Sequence, residues 1–245
     1  MGLTSLKRRA RQWIDTRRLS DDARRIRHER LTYLPVRKLV RIEAALAEIE
    51  REGVAGDIVE YGVALGGSAI LLAGHASPTR RFFGLDVFAM IPPPTSDKDD
   101  ERSKQRYETI ASGGAQGLGG DVYYGYRGDL YEHVAAQLAR FGRPVDGDRV
   151  NLVKGLFEDT LPTLDIDRIA LVHIDCDWYD PVRYCLNETA ARLAPGGIMI
   201  IDDYNDYEGC RAAVDEFLDA RPDFQIEPGL NPILRRAGNA PPPAR

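Results

Sequence analysis

GDIVEYGVALGGSAILLA, residues 56–73, joins two apolar runs through a glycine-rich turn. GDIVEYGV has the length and content of a strand, and GSAILLAGHA (67–76) that of the helix following it. The alternation continues outward. RFFGLDVF (81–88), RVNLVKG (149–155), RIALVHIDCD (168–177) and GIMIIDDY (197–204) are further strands. DLYEHVAAQLARFG (129–142), PVRYCLNETAARLAPGG (181–197) and CRAAVDEFLDAR (210–221) are helices, the second running into a Pro-Gly-Gly break. Nearly continuous Val, Ile and Leu runs suit strands buried on both faces. The expected fold class is therefore α/β, a mostly parallel sheet with helices on both faces. FQIEPGLNPILRR (224–236) reads as two strands around a Gly-Leu-Asn turn, an antiparallel C-terminal hairpin at the sheet edge.

Before this core, VRKLVRIEAALAEIEREG (36–53) is an amphipathic helix. Val36, Leu39, Val40, Ile42, Leu46 and Ile49 recur at helical spacing, and Gly53 supplies the stop. Residues 1–33 form a basic arm, divided from the helix at Tyr33-Leu34-Pro35. Residues 1–41 hold 13 Lys/Arg against 4 Asp/Glu, while the whole chain has a net charge of −5, so a basic arm precedes an acidic body. By the charge-run rule the arm reads as solvated and partly frayed; a helical cover, a dimer contact and an anionic-surface contact are the other readings. With few interleaved aromatics and an acidic body, no nucleic-acid partner is expected. A homodimer through the N-terminal helices is compatible with their apolar faces.

The 245 residues suffice for one large α/β domain, placed at 34–236, with a disordered tail at 237–245. A content of 43% hydrophobic and 29% charged residues excludes disorder throughout, and no run is apolar enough to span a bilayer. The N-terminus lacks an apolar core for a secretory signal. Three cysteines without a C-x-x-C pair argue for a reducing, cytoplasmic setting and against a thiolate zinc site. One segment breaks the rhythm. Residues 89–127 carry IPPP, DKDDER, SGGAQGLGGD and YYGY with little periodicity, and read as a lid-like insertion on the substrate side.

Open parallel sheets bind ligands beyond the carboxyl ends of their strands. In this chain those ends carry Glu60-Tyr61-Gly62, Asp86, Lys154-Gly155, Asp175 with Asp177, and Asp202-Asp203. The first turn lacks the G-x-G-x-x-G spacing that serves pyrophosphates, and no phosphate-binding P-loop occurs. A nucleoside cofactor without phosphate, S-adenosylmethionine, relaxes that spacing. Gly62 would admit its close approach, Glu60 would face its cationic part, and Asp86 would accept from both ribose hydroxyls. Asp175, Asp202 and Asp203 end two strands expected to be neighbours. Adjacent strand residues point to opposite faces, so Asp202 and Asp203 share a site only if the chain is leaving the strand there. Carboxylates about 4 Å apart repel by roughly 4 kcal/mol at an effective dielectric near 20. All-oxygen donors suit Mg²⁺ or another hard divalent cation, with Asp177 as an alternative ligand.

GDIVEYGVALGGSAILLA, FGLDVF, GLFEDTLP, HIDCDWYDP, LAPGGIMIIDDY and GCRAAVDEF together resemble the macrocin O-methyltransferase family over roughly residues 31–236. The resemblance implies a Rossmann-like sheet of seven strands. It implies an S-adenosylmethionine- and Mg²⁺-dependent O-methyltransferase acting on a hydroxyl of a sugar, glycan or secondary-metabolite acceptor. It also implies cofactor contacts from Glu60, Gly62, Ser68, Asp86, Gly155, Phe157 and Glu158, and metal contacts from Asp175, Asp202 and Asp203. Asp175 precedes Asp202 by 27 residues, as in the wider group of metal-dependent catechol methyltransferases. The family's histidine base, expected shortly before the helix at 129–142, is missing: the stretch reads DVYYGYRG. Tyr123 and His133 are the candidates there, Asp175 and Asp202 serve catalysis by holding the ion, and His173 reads as a satisfied core residue. Rival readings are a catechol-like methyltransferase, a nicotinamide-dependent oxidoreductase, which would need a Tyr-x-x-x-Lys pair the chain lacks, and a non-enzymatic binding module.

Overall fold

The computed structural model describes residues 17–237. The first part of the basic arm (1–16) and the tail expected to be disordered (238–245) lie outside the described residues. Seven strands build one sheet: β1 Asp57–Tyr61, β2 Phe82–Asp86, β3 Val150–Lys154, β4 Ile169–Ile174, β5 Leu193–Ile201, β6 Phe224–Glu227 and β7 Ile233–Arg236. The helices are α1 Asp21–His28, α2 Val36–Arg51, α3 Gly67–Ala73, α4 Glu101–Ala111, α5 Leu130–Arg140, α6 Phe157–Thr160, α7 Tyr179–Arg192 and α8 Glu208–Ala220. The strand order is β3-β2-β1-β4-β5-β7-β6, parallel from β3 to β5 and antiparallel at β7 and β6. Growth of the sheet reverses between β1 and β4, so a crevice opens at the carboxyl ends of those two strands.

Every residue of β1, β2 and β4 is buried, as their apolar runs require. Alternation splits them between two cores. Ile58, Phe82, Leu171 and Ile200 pack beneath α1, α2, α3 and α5. Val59, Phe83, Val172 and Ile201 pack against α7 and α8. The amphipathic helix is α2, with Val36, Leu39, Ile42, Leu46 and Ile49 buried and Gly53 at φ +63° just past its end.

Three expectations change. The described part of the arm is a cover, not a solvated tail. Ser20 caps α1 by accepting from the Ala23 amide at 3.1 Å, and Ala23 and Ile26 are fully buried. Burial of an aliphatic side chain the size of Ile26 contributes roughly 1.5–3 kcal/mol toward docking that helix. The Pro-Gly-Gly break belongs to β5. Ile169 pairs with Leu193 and Leu171 with Ile198, so a bulge takes up the extra residues. Residues 89–127 contain helix α4, capped by Asp100 Oδ1 accepting from the Ser103 amide at 2.9 Å. A small core of Ile110, Ala115 and Tyr123 lies under it. The segment is fastened to the start of α7: Asp99 Oδ1 accepts from the Tyr179 amide at 2.9 Å, and Trp178 Nε1 donates to the Pro92 carbonyl at 3.0 Å.

Candidate active site

A cavity of about 740 Å³ lies over the crevice. Gly62, Asp86, Gly155, Phe157 and Glu158 line it from beyond β1, β2 and β3, and Asp175, Asp177, Asp202 and Asp203 from beyond β4 and β5. Tyr123 also lines it, with Tyr124, Arg106 and Ile91 from the 89–127 segment and Tyr33 from the turn before α2.

The glycine-rich turn is shaped first by packing. A Cβ on Gly62, at φ +90°, would collide with the carbonyl oxygen of Asp175. That close approach of the ends of β1 and β4 is what only glycine allows. A Cβ on Gly67 would strike the Leu31 carbonyl, so the segment before α2 is seated directly on α3. Asp86 stands at the end of β2. Its Oδ2 accepts from the Val63 and Ala64 amides at 2.7 and 3.0 Å, and its Oδ1 from the Phe88 amide at 2.7 Å. Burial raises its proton affinity, and the three amides counter that. A carboxylate offers about four acceptor positions, and the three amides leave Oδ1 the less occupied oxygen.

Glu60 and Ser68 do not reach the cavity wall. Both are buried beneath it, on β1 and α3. Parallel register sets Glu60 beside His173, and Glu60 Oε1 lies 2.9 Å from His173 Nδ1. Glu60 Oε1 therefore faces the His173 ring, while burial raises the Glu60 pKa against the pull of that neighbour. His173 Nε2 in turn lies 3.5 Å from Asp202 Oδ1. Burial works to lower the His173 pKa, but the Asp202 and Glu60 carboxylates push it up to about 10. His173 is thus buried between two carboxylates, with its Nε2 and Asp202 Oδ1 both lacking a hydrogen-bond partner among the described residues. His133 lies on α5 outside the cavity lining, its pKa lowered by burial; its helical position fixed that, since Val134 and Leu130 point inward and His133 does not.

At the acidic end, β5 stops at Ile201 and Asp202 is already helical (φ −74°, ψ −48°), entering a 3-10 turn at Asp203–Asn205. Both aspartates can therefore face one site. Ile174 pairs with Ile201, which puts Asp175 beside Asp202. Ligand atoms of His173, Asp175 and Asp202 lie within 4.8 Å of one another, as do those of Asp202, Asp203 and Asp206. Asp202 belongs to both groups, and Asp175 and Asp203 to one each. Burial first, then the neighbouring carboxylates, raise the proton affinities of Asp175 and Asp203 well above the usual range. Asp202 is the exception: burial raises it, but His173 and Lys38 bring it below. Asp177 has left-handed backbone (φ +57°), its amide donates to Asp203 Oδ2 at 3.1 Å, and burial followed by the Asp202 charge pushes its pKa up to about 7.

Sequence reading missed Lys38. Its ammonium donates to Asp202 Oδ2 at 2.7 Å, Asp206 Oδ2 at 2.8 Å and the Asp202 carbonyl at 3.0 Å. The sequence marks only its place, one helical turn before Ile42 beside the buried stripe, and not the carboxylates it meets. Even so, Asp202 Oδ1 has no hydrogen-bond partner among the described residues. Buried, mutually repelling oxygen donors with an orphaned carboxylate oxygen fit a hard divalent cation. Among the described residues, no helix is long and apolar enough to cross a membrane.

A sequence profile of the Macrocin-O-methyltransferase (TylF) family matches residues 4–115 and 129–233. The 8-demethyl-8-(2,3-dimethoxy-alpha-L-rhamnosyl)-tetracenomycin-C 4′-O-methyltransferase of Streptomyces olivaceus is 30% identical over 207 residues, 83% of this chain and 72% of that protein. The Mycinamicin III 3″-O-methyltransferase of Micromonospora griseorubida is 30% identical over 196 residues, 77% of this chain and 70% of that protein. Among solved structures, the O-methyltransferase NovP superposes with a TM-score of 0.68 at 24% identity, covering 84% of this chain and 81% of that one. A methyltransferase from Podospora anserina bound to S-adenosylhomocysteine superposes with a TM-score of 0.58 at 16% identity, covering 96% and 95%.

Proposed function

The chain belongs to the macrocin O-methyltransferase family, an enzyme family, and on that premise we propose that it transfers a methyl group from S-adenosylmethionine to a sugar hydroxyl of a natural product or glycan, with a divalent cation, Mg²⁺ first, at the acidic end of the cleft. One observation carries this reading: a single cavity joins Asp86 and the Gly62 turn to the Asp175, Asp202 and Asp203 carboxylates. Donor and acceptor can thus meet in one space, walled in part by residues of the 89–127 segment. The rhamnosyl-tetracenomycin and mycinamicin in the relatives' names support a glycosylated acceptor.

When bound, the cofactor supplies an electrophilic methyl and the cation makes an acceptor hydroxyl more acidic. The protein's residues do the rest. Gly62, Asp86, Gly155, Phe157 and Glu158 border the nucleoside, with Asp86 Oδ1 taking a ribose hydroxyl. Asp175, Asp202 and Asp203 hold the ion. Asp177 lines the same cavity, with its amide on Asp203 Oδ2, and is the alternative ligand beside that set. Burial raises the Tyr123 pKa, so its hydroxyl stays protonated and can hydrogen-bond the acceptor as donor or acceptor. Tyr33 and Tyr124, edge to face at 5.9 Å between ring centres, supply an apolar wall against which a sugar ring can lie. Fixing donor and acceptor in one orientation can itself remove roughly 7–11 kcal/mol of the barrier.

The test is transfer of labelled methyl from S-adenosylmethionine to a panel of glycosides and catechols, with Mg²⁺ and with excess EDTA. Transfer to glycosides that EDTA abolishes is the expected result. Transfer confined to catechols would refute the acceptor class, and transfer untouched by EDTA would refute the role of the ion.

A further inference from the structure

Lys38 is the most fully engaged cation at the site. An ammonium has three donors, and the Lys38 Nζ spends them on Asp202 Oδ2, Asp206 Oδ2 and the Asp202 carbonyl. It has none left for a substrate. Its backbone is equally constrained: the Lys38 carbonyl accepts from the buried Asn231 side chain at 3.3 Å, and Arg41, one turn on, donates to the Asn231 carbonyl at 2.9 Å. The turn it grips is held from the other side, where Asn205 donates to the Gly229 and Leu230 carbonyls at 2.9 and 3.1 Å.

Without the ammonium, oxygens of Asp202, Asp203 and Asp206 within 4.8 Å of one another would form a second oxygen-lined pocket next to the first. Asp202 could then offer both oxygens. With it, Oδ2 is occupied, and only Oδ1, unpartnered and facing His173, is available on the Asp175 side. We propose that Lys38 is a positioning residue that fills the Asp202–Asp206 half of the acidic cluster, confines a divalent ion to the Asp175 side, and so selects the smaller Mg²⁺ over Ca²⁺. The selection follows from coordination chemistry. Mg²⁺ needs a compact octahedron and accepts single oxygens plus water, whereas Ca²⁺ takes six to eight oxygens and tolerates bidentate carboxylates. This inference rests on the reading that the acidic cluster holds the ion, with Asp175 and Asp202 Oδ1 on its near side and Asp203 reaching it from the group that Lys38 partly fills.

The experiment is calorimetric titration of the full chain with MgCl₂ and, separately, with CaCl₂, for the wild type and for Lys38→Met, Lys38→Arg and Asp206→Asn. Lys38→Met should bind both ions more tightly, with the Ca²⁺/Mg²⁺ affinity ratio raised by about tenfold or more. Lys38→Arg, which restores the charge, should return the ratio toward the wild-type value. Asp206→Asn should leave Mg²⁺ affinity within about twofold, because Asp206 belongs to Lys38 and not to the ion. That variant keeps the proposal testable even if Lys38→Met fails to fold. An unchanged ratio in Lys38→Met, or a large loss of Mg²⁺ affinity in Asp206→Asn, overturns the role of Lys38 and leaves the metal site standing. A wild type that binds neither ion removes the metal site, and this inference with it.

Discussion

Two ends of one cleft handle buried carboxylates in opposite ways. At the β2 end, Asp86 is fixed by three backbone amides, which cannot leave without unfolding the turn. At the β4–β5 end, Asp175, Asp177, Asp202 and Asp203 crowd together, and the positive charge in contact comes from the side chains of Lys38 and His173. Burial raises proton affinity at both ends. The difference lies in what offsets it. The fold's own amides offset the first end, whereas at the second the side chains of Lys38 and His173 do so, joined in the proposed function by a divalent cation. A fixed acceptor suits a cofactor that binds the same way in every turnover; an incompletely neutralised cluster suits an ion that acts on the acceptor.

The largest break in that comparison comes from Asp202→Asn. It removes the carboxylate common to both acidic groups, and methyl transfer should fall about 100-fold or more, while calorimetric affinity for S-adenosylhomocysteine changes little. A loss of cofactor affinity equal to the loss of rate would erase the distinction between the two ends. Asp86→Ala should do the reverse. Losing a charge-assisted acceptor costs about 1.5–3 kcal/mol, so S-adenosylhomocysteine should bind roughly 10- to 100-fold more weakly. The three freed amides should lower the melting temperature too. Unchanged affinity would remove Asp86 from the cofactor site.

A pH titration sharpens the comparison without mutation. Asp175, Asp177 and Asp203 hold protons more tightly folded than unfolded. In the metal-free protein the folded state therefore carries extra protons from about pH 4 up to about 7, and stability should decline as pH rises through that window. Saturating Mg²⁺ should abolish the decline. Melting curves that stay flat or rise with pH without metal would contradict the charge assignment. The smallest effect belongs to Asp146, a surface carboxylate built like Asp86. Its Oδ1 accepts from the Asp148, Arg149 and Val150 amides, and the Val150 amide first among them lowers its pKa to about 2. Its contribution is present above the ordinary carboxylate range and lost as pH falls toward about 2. Asp146→Ala should lower the melting temperature slightly and leave methyl transfer intact; a large loss of activity would show that the turn before β3 reaches the cleft.

The strands were legible because burial on both faces demands runs such as IALVHI, and few other structures do. Asp202 and Asp203 were legible as one site because Tyr204-Asn205-Asp206 announced the end of the strand. Helix α4 was not, since only Ser103 and Ile110 of its residues are buried and its charge density hides any stripe. The contact of Glu60 with His173 was not legible, because the two stand 113 residues apart and meet only through strand register. Lys38 was hidden for the same reason, its carboxylate lying 164 residues downstream. Sequence patterns report local periodicity. They do not report which buried charges the sheet order brings together.

The most direct measurement is an anomalous-difference map from crystals grown with Mn²⁺ and S-adenosylhomocysteine. A single peak about 2.1 Å from oxygens of Asp175, Asp202 and Asp203 is expected, with the nucleoside over Asp86. A bound nucleoside with no peak at those carboxylates would contradict the claim that an ion completes the acidic end of the cleft.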